Sequence, residues 1–292
     1  MSEGEGVEVD EPELLGVGKT ALGVAQIRAH ESQRPDQLFD DPYAAAFVAA
    51  APTAFPDTFP GRAEAAADPL AGVGAAFAVS AVLRTRFFDD YLRQASAAGC
   101  GQVVLLAAGL DTRAYRLPWP ADTRLFELDL PAVLDFKERV LHHAAAVAGC
   151  ERIVLPVDLR DDWSAAARTA GLDPSQPTAW LCEGLLIYLS ADEADHLLTT
   201  VSDLSASRSQ LAFEHSSTLH PAVMAHARSM PAMKPYTCLW KGGLGHDAPD
   251  WLIRHGWSVS IHDCAAFAAA HDRAAPGAAA GAFLTATRHN CP

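Results

Sequence analysis

Positive charge is scarce in this chain. Its 292 residues carry 22 Lys and Arg against 36 Asp and Glu, a formal net charge of -14. That balance weighs against nucleic-acid partners and anionic membrane surfaces, because phosphates require a basic face. Long apolar runs are missing as well: none approaches the ~18 residues of a membrane span. Residues 1–13 are acidic, unlike the basic start of a secretory signal. The six cysteines, Cys100, Cys150, Cys182, Cys238, Cys264 and Cys291, include no C-x-x-C pair. A zinc cluster is therefore not expected, and a chain of this size needs no disulfide framework. The 12 histidines show no H-E-x-x-H spacing, so no metal is expected. The expectation is a cytoplasmic protein with reduced thiols, Cys182 serving as a small core residue.

Half of the residues are hydrophobic and 20% are charged, which suffices for a sizeable core. The first hundred residues read as helical. Apolar positions Ala21, Val24, Ala25 and Ile27 recur at helical spacing over 20–29. Asp40-Asp41-Pro42 reads as the start of a helix over 43–50. Prolines and glycines mark 51–72 as a loop, and a long helix over 75–98 ends at the stop signal Gly99. Beyond Gly101 come seven strand-like runs, at 102–107, 124–129, 153–158, 178–182, 210–214, 257–262 and 282–288. Helical patterns separate the first five, most clearly at 131–148 and 191–205. Strands alternating with helices predict a parallel sheet covered on both faces. No internal repeat is visible. The predicted organisation is an N-terminal helical cap over 1–100, then a doubly wound seven-stranded α/β domain over 101–292.

Ligands of doubly wound sheets bind outside the carboxyl ends of the strands. The first four runs each end in acid: Asp111 follows the first, Glu127 and Asp129 the second, Asp158 the third and Glu183 the fourth. One such acid is an ordinary helix cap; four in register call for a ligand. The first turn reads Ala107, Gly109 and Thr112 where a dinucleotide loop requires three glycines, and Asp111 stands where pyrophosphate would sit. Like-charge repulsion there disfavours a phosphorylated cofactor. S-adenosylmethionine fits instead, with a sulfonium, an ammonium and a ribose diol. Asp129 stands 20 residues after Gly109, a spacing suited to the ribose hydroxyls. The G-x-G-K-T at 16–20 lacks both a preceding strand and the first glycine of a P-loop.

Several segments, in order, resemble the leucine carboxyl methyltransferase family of class I S-adenosylmethionine-dependent methyltransferases, in particular its actinobacterial branch. They are TALGVA through RAHE (20–31), LFDDPYA (38–44), RTRFFDD (84–90), GLDTRAYRL (109–117), ELDLP (127–131), VDLR (157–160) and EGLLIYL (183–189). The resemblance implies a Rossmann-like methyltransferase sheet with S-adenosylmethionine as cofactor. It assigns Asp129 to the ribose, with Glu127 near enough to share the task, and Asp158 to the adenine amino group with Leu159 beside it. Glu183 falls near the amino-acid end of the cofactor. Ala107 and Gly109 form the close-approach turn, where the family usually has glycine in place of Ala107. An arginine of the helix before the sheet holds the cofactor carboxylate. Arg84 and Arg86 are both candidates, Arg86 the favoured one, while the bland alternative pairs them with Asp89 and Asp90.

Between the fifth and sixth runs, 216–256 collects Met224, Met230, Met233, Tyr236, Trp240 and Trp251. Such residues make adaptable apolar walls, so this insertion is expected either to act as a lid or to form a helical layer with its own small core. The implied activity is O-methylation of a small-molecule carboxyl or hydroxyl group, on an apolar or polyketide-like natural product. The alternatives are a protein or peptide C-terminus as acceptor, or a binding protein that has lost transfer. A carboxylate needs no general base, being ionised at neutral pH. A phenol or alcohol needs one, and His215, His220 and Tyr188 are the candidates.

Overall fold

The structure, a computed structural model, describes residues 17–52, 69–215, 229, 237–275 and 281–289. Helix α1 (Val17–Glu31) buries Leu22, Ala25 and Ile27. The Asp41 carboxylate accepts from the Tyr43 and Ala44 amides, 3.1 Å each, and so caps α2 (Ala44–Ala49). Helix α3 (Pro69–Ala97) starts earlier than its sequence suggests, because Pro69 is tolerated in a first turn. Its face of Leu83, Phe87, Phe88, Tyr91, Leu92 and Ala95 is buried. The helix stops where Gly99 takes φ +102° and the Cys100 amide reaches back to the Ala95 carbonyl.

Seven strands follow: β1 (Gln102–Leu106), β2 (Arg124–Asp129), β3 (Glu151–Pro156), β4 (Thr178–Cys182), β5 (Gln210–His215), β6 (Trp257–Asp263) and β7 (Ala282–Arg288). Between them lie α4 (Arg113–Arg116), α5 (Pro131–His143), α6 (Ser164–Thr169), α7 (Ala191–Asp203), α8 (Ala248–Arg254) and α9 (Cys264–Ala270). The sheet order is β3-β2-β1-β4-β5-β7-β6. Two expectations are corrected. The sheet is mixed, since β7 runs antiparallel between β5 and β6; an apolar run carries no record of its direction. The third strand ends two residues early, at Pro156, which puts Asp158 in the loop beyond it.

One face of the sheet packs Trp163, Trp180, Leu197, Leu198, Val201, Trp251 and Trp257 into a core under α6, α7 and α8. The other face packs against α3 and α9, with Phe87 stacked on Phe283 at 4.3 Å between ring centroids. Helices α1 and α2 meet α5 through Leu22, Ala25, Phe47, Val133 and Phe136, with Leu110 of the first loop among them. Strand β1 pairs with β2 on one side and β4 on the other. The chain thus changes direction beside β1, and the switch point at which doubly wound sheets hold their ligands, the crevice of the sheet, falls at the carboxyl ends of β1 and β4. Among the described residues no helix is long and apolar enough to cross a membrane.

Candidate functional site

The turn leaving β1 brings backbone close to whatever fills the crevice. Ala107 and Gly109 both take left-handed conformations, φ +56° and +48°, and a Cβ on Gly109 would lie 3.6 Å from Ala21 of α1. Helix α1 is held to this turn by Arg28, which donates to the Leu110 carbonyl at 2.6 Å and to Asp41 at 2.8 Å. At the end of β2, the Asp129 carboxylate accepts from the Gly109 amide at 2.6 Å and the Leu130 amide at 2.7 Å. Burial raises its pKa above the ordinary carboxylate value, and these two amides offset that only in part. A carboxylate has about four acceptor positions; among the described residues no cation pairs with this one, so two remain for vicinal hydroxyls. Glu127, two residues earlier, is sealed in the core against Lys137 at 2.7 Å and Arg152 at 2.6 Å. Strand register places Glu127 beside Leu105, inside the ladder.

Beyond β3, Asp158 accepts from the Arg160 amide at 3.0 Å and its Nε at 2.9 Å. The Arg160 hydrogen bond keeps its carboxyl below the ordinary value. Leu159 beside it is buried. The Val157 amide donates to the Asp129 carbonyl at 2.9 Å, so the second and third strand ends adjoin.

A lattice of ion pairs fills the other side of the crevice. Arg84 bridges Glu183 and Glu214, 2.9 Å to each. Arg113 contacts Asp89 at 2.7 Å, Glu183 at 2.6 Å, and Asp111. Arg116 grips Asp89 with both terminal nitrogens, at 2.6 and 2.7 Å. Burial alone would raise the Asp111 carboxyl, yet Arg113, Lys137 and Arg116 outweigh it and hold it at about 2. Burial likewise opposes ionisation of Glu183, and Arg113 with Arg84 keeps its carboxyl low. Asp111 also accepts from the Arg113 amide at 2.7 Å, serving the first turn of α4 as well.

Of the two candidate arginines, Arg84 reaches the strand ends. Arg86 lies a half-turn away, paired with Asp90 at 2.8 Å and donating to the Leu38 carbonyl at 2.8 Å. A spacing of two on a helix sends side chains to different faces, and the sequence does not say which one meets the sheet. Tyr188, in the turn after β4, is among the groups acting electrostatically on Arg84. His215 ends β5 with its ring 6.4 Å from that of His246; burial, then His246, lowers its pKa. His220, Met224, Met230, Met233 and Tyr236 lie outside the described residues. Trp251, expected in a lid wall, is buried in the core on α8 and donates to Asp195 at 2.6 Å. Among the participants that escaped the sequence are Glu214, Arg113, Arg116 and Lys137. Glu214 had a legible signal, as a fifth strand-end acid; Lys137, wholly buried on α5, had none.

The model of the family described as leucine carboxyl methyltransferase matches residues 21–202. A protein from Frankia alni, named as an S-adenosyl-L-methionine-dependent methyltransferase, is 51% identical over 94% of this chain and 95% of its own length. One from Streptomyces coelicolor with the same designation is 45% identical over 88% of this chain and 89% of its own. Among solved structures, a methyltransferase by name from Thermobifida fusca superposes with TM-score 0.57 at 17% identity, covering 99% of this chain and 100% of that one. A DUF574 family protein from Streptomyces avermitilis also gives 0.57 at 17%, covering 84% of this chain and 97% of its own. These two show the shared Rossmann-like fold.

Proposed function

This chain belongs to the leucine carboxyl methyltransferase family of S-adenosylmethionine-dependent methyltransferases, and from that premise we propose that it methylates a carboxylate oxygen of a small, apolar acceptor. The family match over 21–202 carries this reading: it spans α1 through most of α7 and thus both halves of the crevice. S-adenosylmethionine supplies a methyl group already activated by its cationic sulfur. The protein's own task is to position the partners and exclude water.

The residues present fit that cofactor. Asp129 has acceptor capacity for a ribose diol, and Asp158 with Leu159 offers an acceptor and an apolar wall to an adenine amino group. Arg84 is a partly accessible guanidinium whose fork matches the cofactor carboxylate, and Glu183 and Glu214 suit its ammonium. The four carboxylates Asp89, Asp111, Glu183 and Glu214 outnumber the three arginines they meet, and that excess negative charge disfavours phosphates. Helix α1 is tied to the first loop through Arg28 and packs Ala21 beside Gly109.

An ionised acceptor removes the need for a base, which leaves His215 and Tyr188 as wall residues. In the sequence, Met224, Met230, Met233, Tyr236 and Trp240 favour an apolar natural-product acid, of the kind made in secondary metabolism, over a peptide terminus. The test supplies small apolar acids with methyl-labelled cofactor. The expected product releases its label as volatile methanol in alkali, as an ester does, at a rate flat between pH 6 and 8. An alkali-stable ether product, or a rate that titrates near pH 6.5, refutes carboxyl transfer.

A further inference from the structure

The strand-end ion pairs form one connected lattice with an uneven count. Three arginines, Arg84, Arg113 and Arg116, meet four carboxylates, Asp89, Asp111, Glu183 and Glu214. The neighbouring groups pair among themselves, except Asp129, whose partners are two backbone amides. Arg28 pairs with Asp41, and Lys137 and Arg152 pair with Glu127 and Glu138. The lattice therefore holds one negative charge in excess.

Depth locates that charge. Side chains of Asp89, Arg113 and Arg116 are only 2–4% exposed, and two arginines there face Asp89 and Asp111. That sealed end is neutral. At the accessible end a single guanidinium, Arg84, stands between Glu183 and Glu214, whose side chains are 16% and 23% exposed. Glu214 is the less compensated of the two. Burial and the nearby Glu183 raise its carboxyl against the pull of Arg84, whereas Glu183 has two arginines. Nor can it easily swing away. Both its oxygens accept from the Gly184 amide, at 2.8 and 2.9 Å. Gly184 itself sits at φ +65°, where a Cβ would come 3.6 Å from Arg84.

S-adenosylmethionine carries a sulfonium, an ammonium and a carboxylate, a net charge of plus one. Its product, the thioether, keeps only the ammonium and carboxylate and is neutral overall. We propose that Glu214 is a specificity-determining residue, setting the excess negative charge by which the site holds the charged donor in preference to its neutral product. The inference rests on placing the donor's amino-acid end against this lattice. In transfer to a carboxylate, the carbon–sulfur bond breaks with its electron pair left on sulfur, and an oxygen–carbon bond forms. The sulfonium charge and the acceptor charge disappear together. The unmatched charge of the lattice then favours exchange of product for fresh donor.

The experiment is calorimetric titration of wild-type protein and Glu214→Gln with S-adenosylmethionine, S-adenosylhomocysteine and sinefungin, an analogue with an ammonium in place of the methylsulfonium. The ammonium and carboxylate shared by donor and product cancel in the affinity ratio, which therefore reads the charge at sulfur. One unit charge in a partly buried site is worth about tenfold in affinity. The donor-to-product ratio is expected to fall by about that factor in Glu214→Gln, with sinefungin following the donor. Equal weakening of all three ligands would overturn the proposal, since a residue that merely shapes the Gly184 turn acts on them alike. If Glu214→Gln shows no cooperative melt, Glu183→Gln replaces it; it too leaves three cations against three anions, and the same fall is expected. A wild-type protein that binds neither donor nor product would overturn the site assignment along with the proposal, whereas tight donor binding with an unchanged ratio overturns the proposal alone.

Discussion

Replacing Arg113 by methionine should cost this protein a large part of its stability, and the cost should shrink in acid. The Arg113 side chain is 2% exposed and contacts Asp89, Asp111 and Glu183 at once, while its Nη2 donates to the Thr85 carbonyl at 3.3 Å. Methionine fills much of the same volume but leaves carboxylates buried without their partner. Removing one member of a buried pair costs about 3–5 kcal/mol. The Asp111 carboxyl alone, held at about 2 against an ordinary 3.8, accounts for about 2 kcal/mol of that. Such a loss is a substantial share of the ~5–15 kcal/mol by which domains are stable.

The pH dependence has a definite sign. In the wild type the folded-state value lies below the unfolded one, so this stabilisation is complete above about pH 5 and fades between pH 4 and 2. In Arg113→Met the burial that opposes ionisation is no longer outweighed. The folded-state values rise, and the variant gains stability as protons bind. Urea unfolding followed by far-ultraviolet circular dichroism at pH 7 and pH 4.5 measures both. A difference below about 1 kcal/mol at pH 7, or one no smaller at pH 4.5, would refute the account of Arg113 as the charge at the centre of this lattice.

Asp129→Asn keeps an acceptor for only one of the Gly109 and Leu130 amides and gives up the carboxylate, and should weaken S-adenosylmethionine binding by about 1.5–3 kcal/mol, near the strength of hydrogen bonds to a charged group; calorimetry checks the loss, and an unchanged affinity would refute the role of Asp129. Ala107→Gly relieves a left-handed alanine at φ +56° and should raise stability by about 0.5–1 kcal/mol without loss of donor affinity, a gain readable in urea unfolding and absent if the turn is not strained.

The strands were legible because each is a short β-rich run bounded by turn residues: β2, β4 and β7 fall where the residues say. Strand β3 slipped by two, since Glu151 and Arg152 open the strand with charged side chains that read as loop. The first four strand-end acids were visible as a pattern, and with the Asp111 charge they pointed to a cationic, phosphate-free cofactor before any contact was known. Glu214 was equally visible and was passed over, because an acid at a fifth strand end has no meaning until Arg84 stands beside it.

Local sequence, then, settled which segments form strands, which end of the sheet is acidic and what kind of ligand that end tolerates, since those follow from side-chain chemistry and spacing along one chain. Tertiary packing settled the rest: that β7 runs backwards, that Arg84 rather than Arg86 meets the strand-end acids, that Glu127 is sealed against Lys137, and that seven charges from four segments add to minus one. Helix rotation, strand direction and charge balance depend on groups about a hundred residues or more apart, such as Arg84 with Glu183 and Glu214, and only folding brings them within a few ångströms of one another.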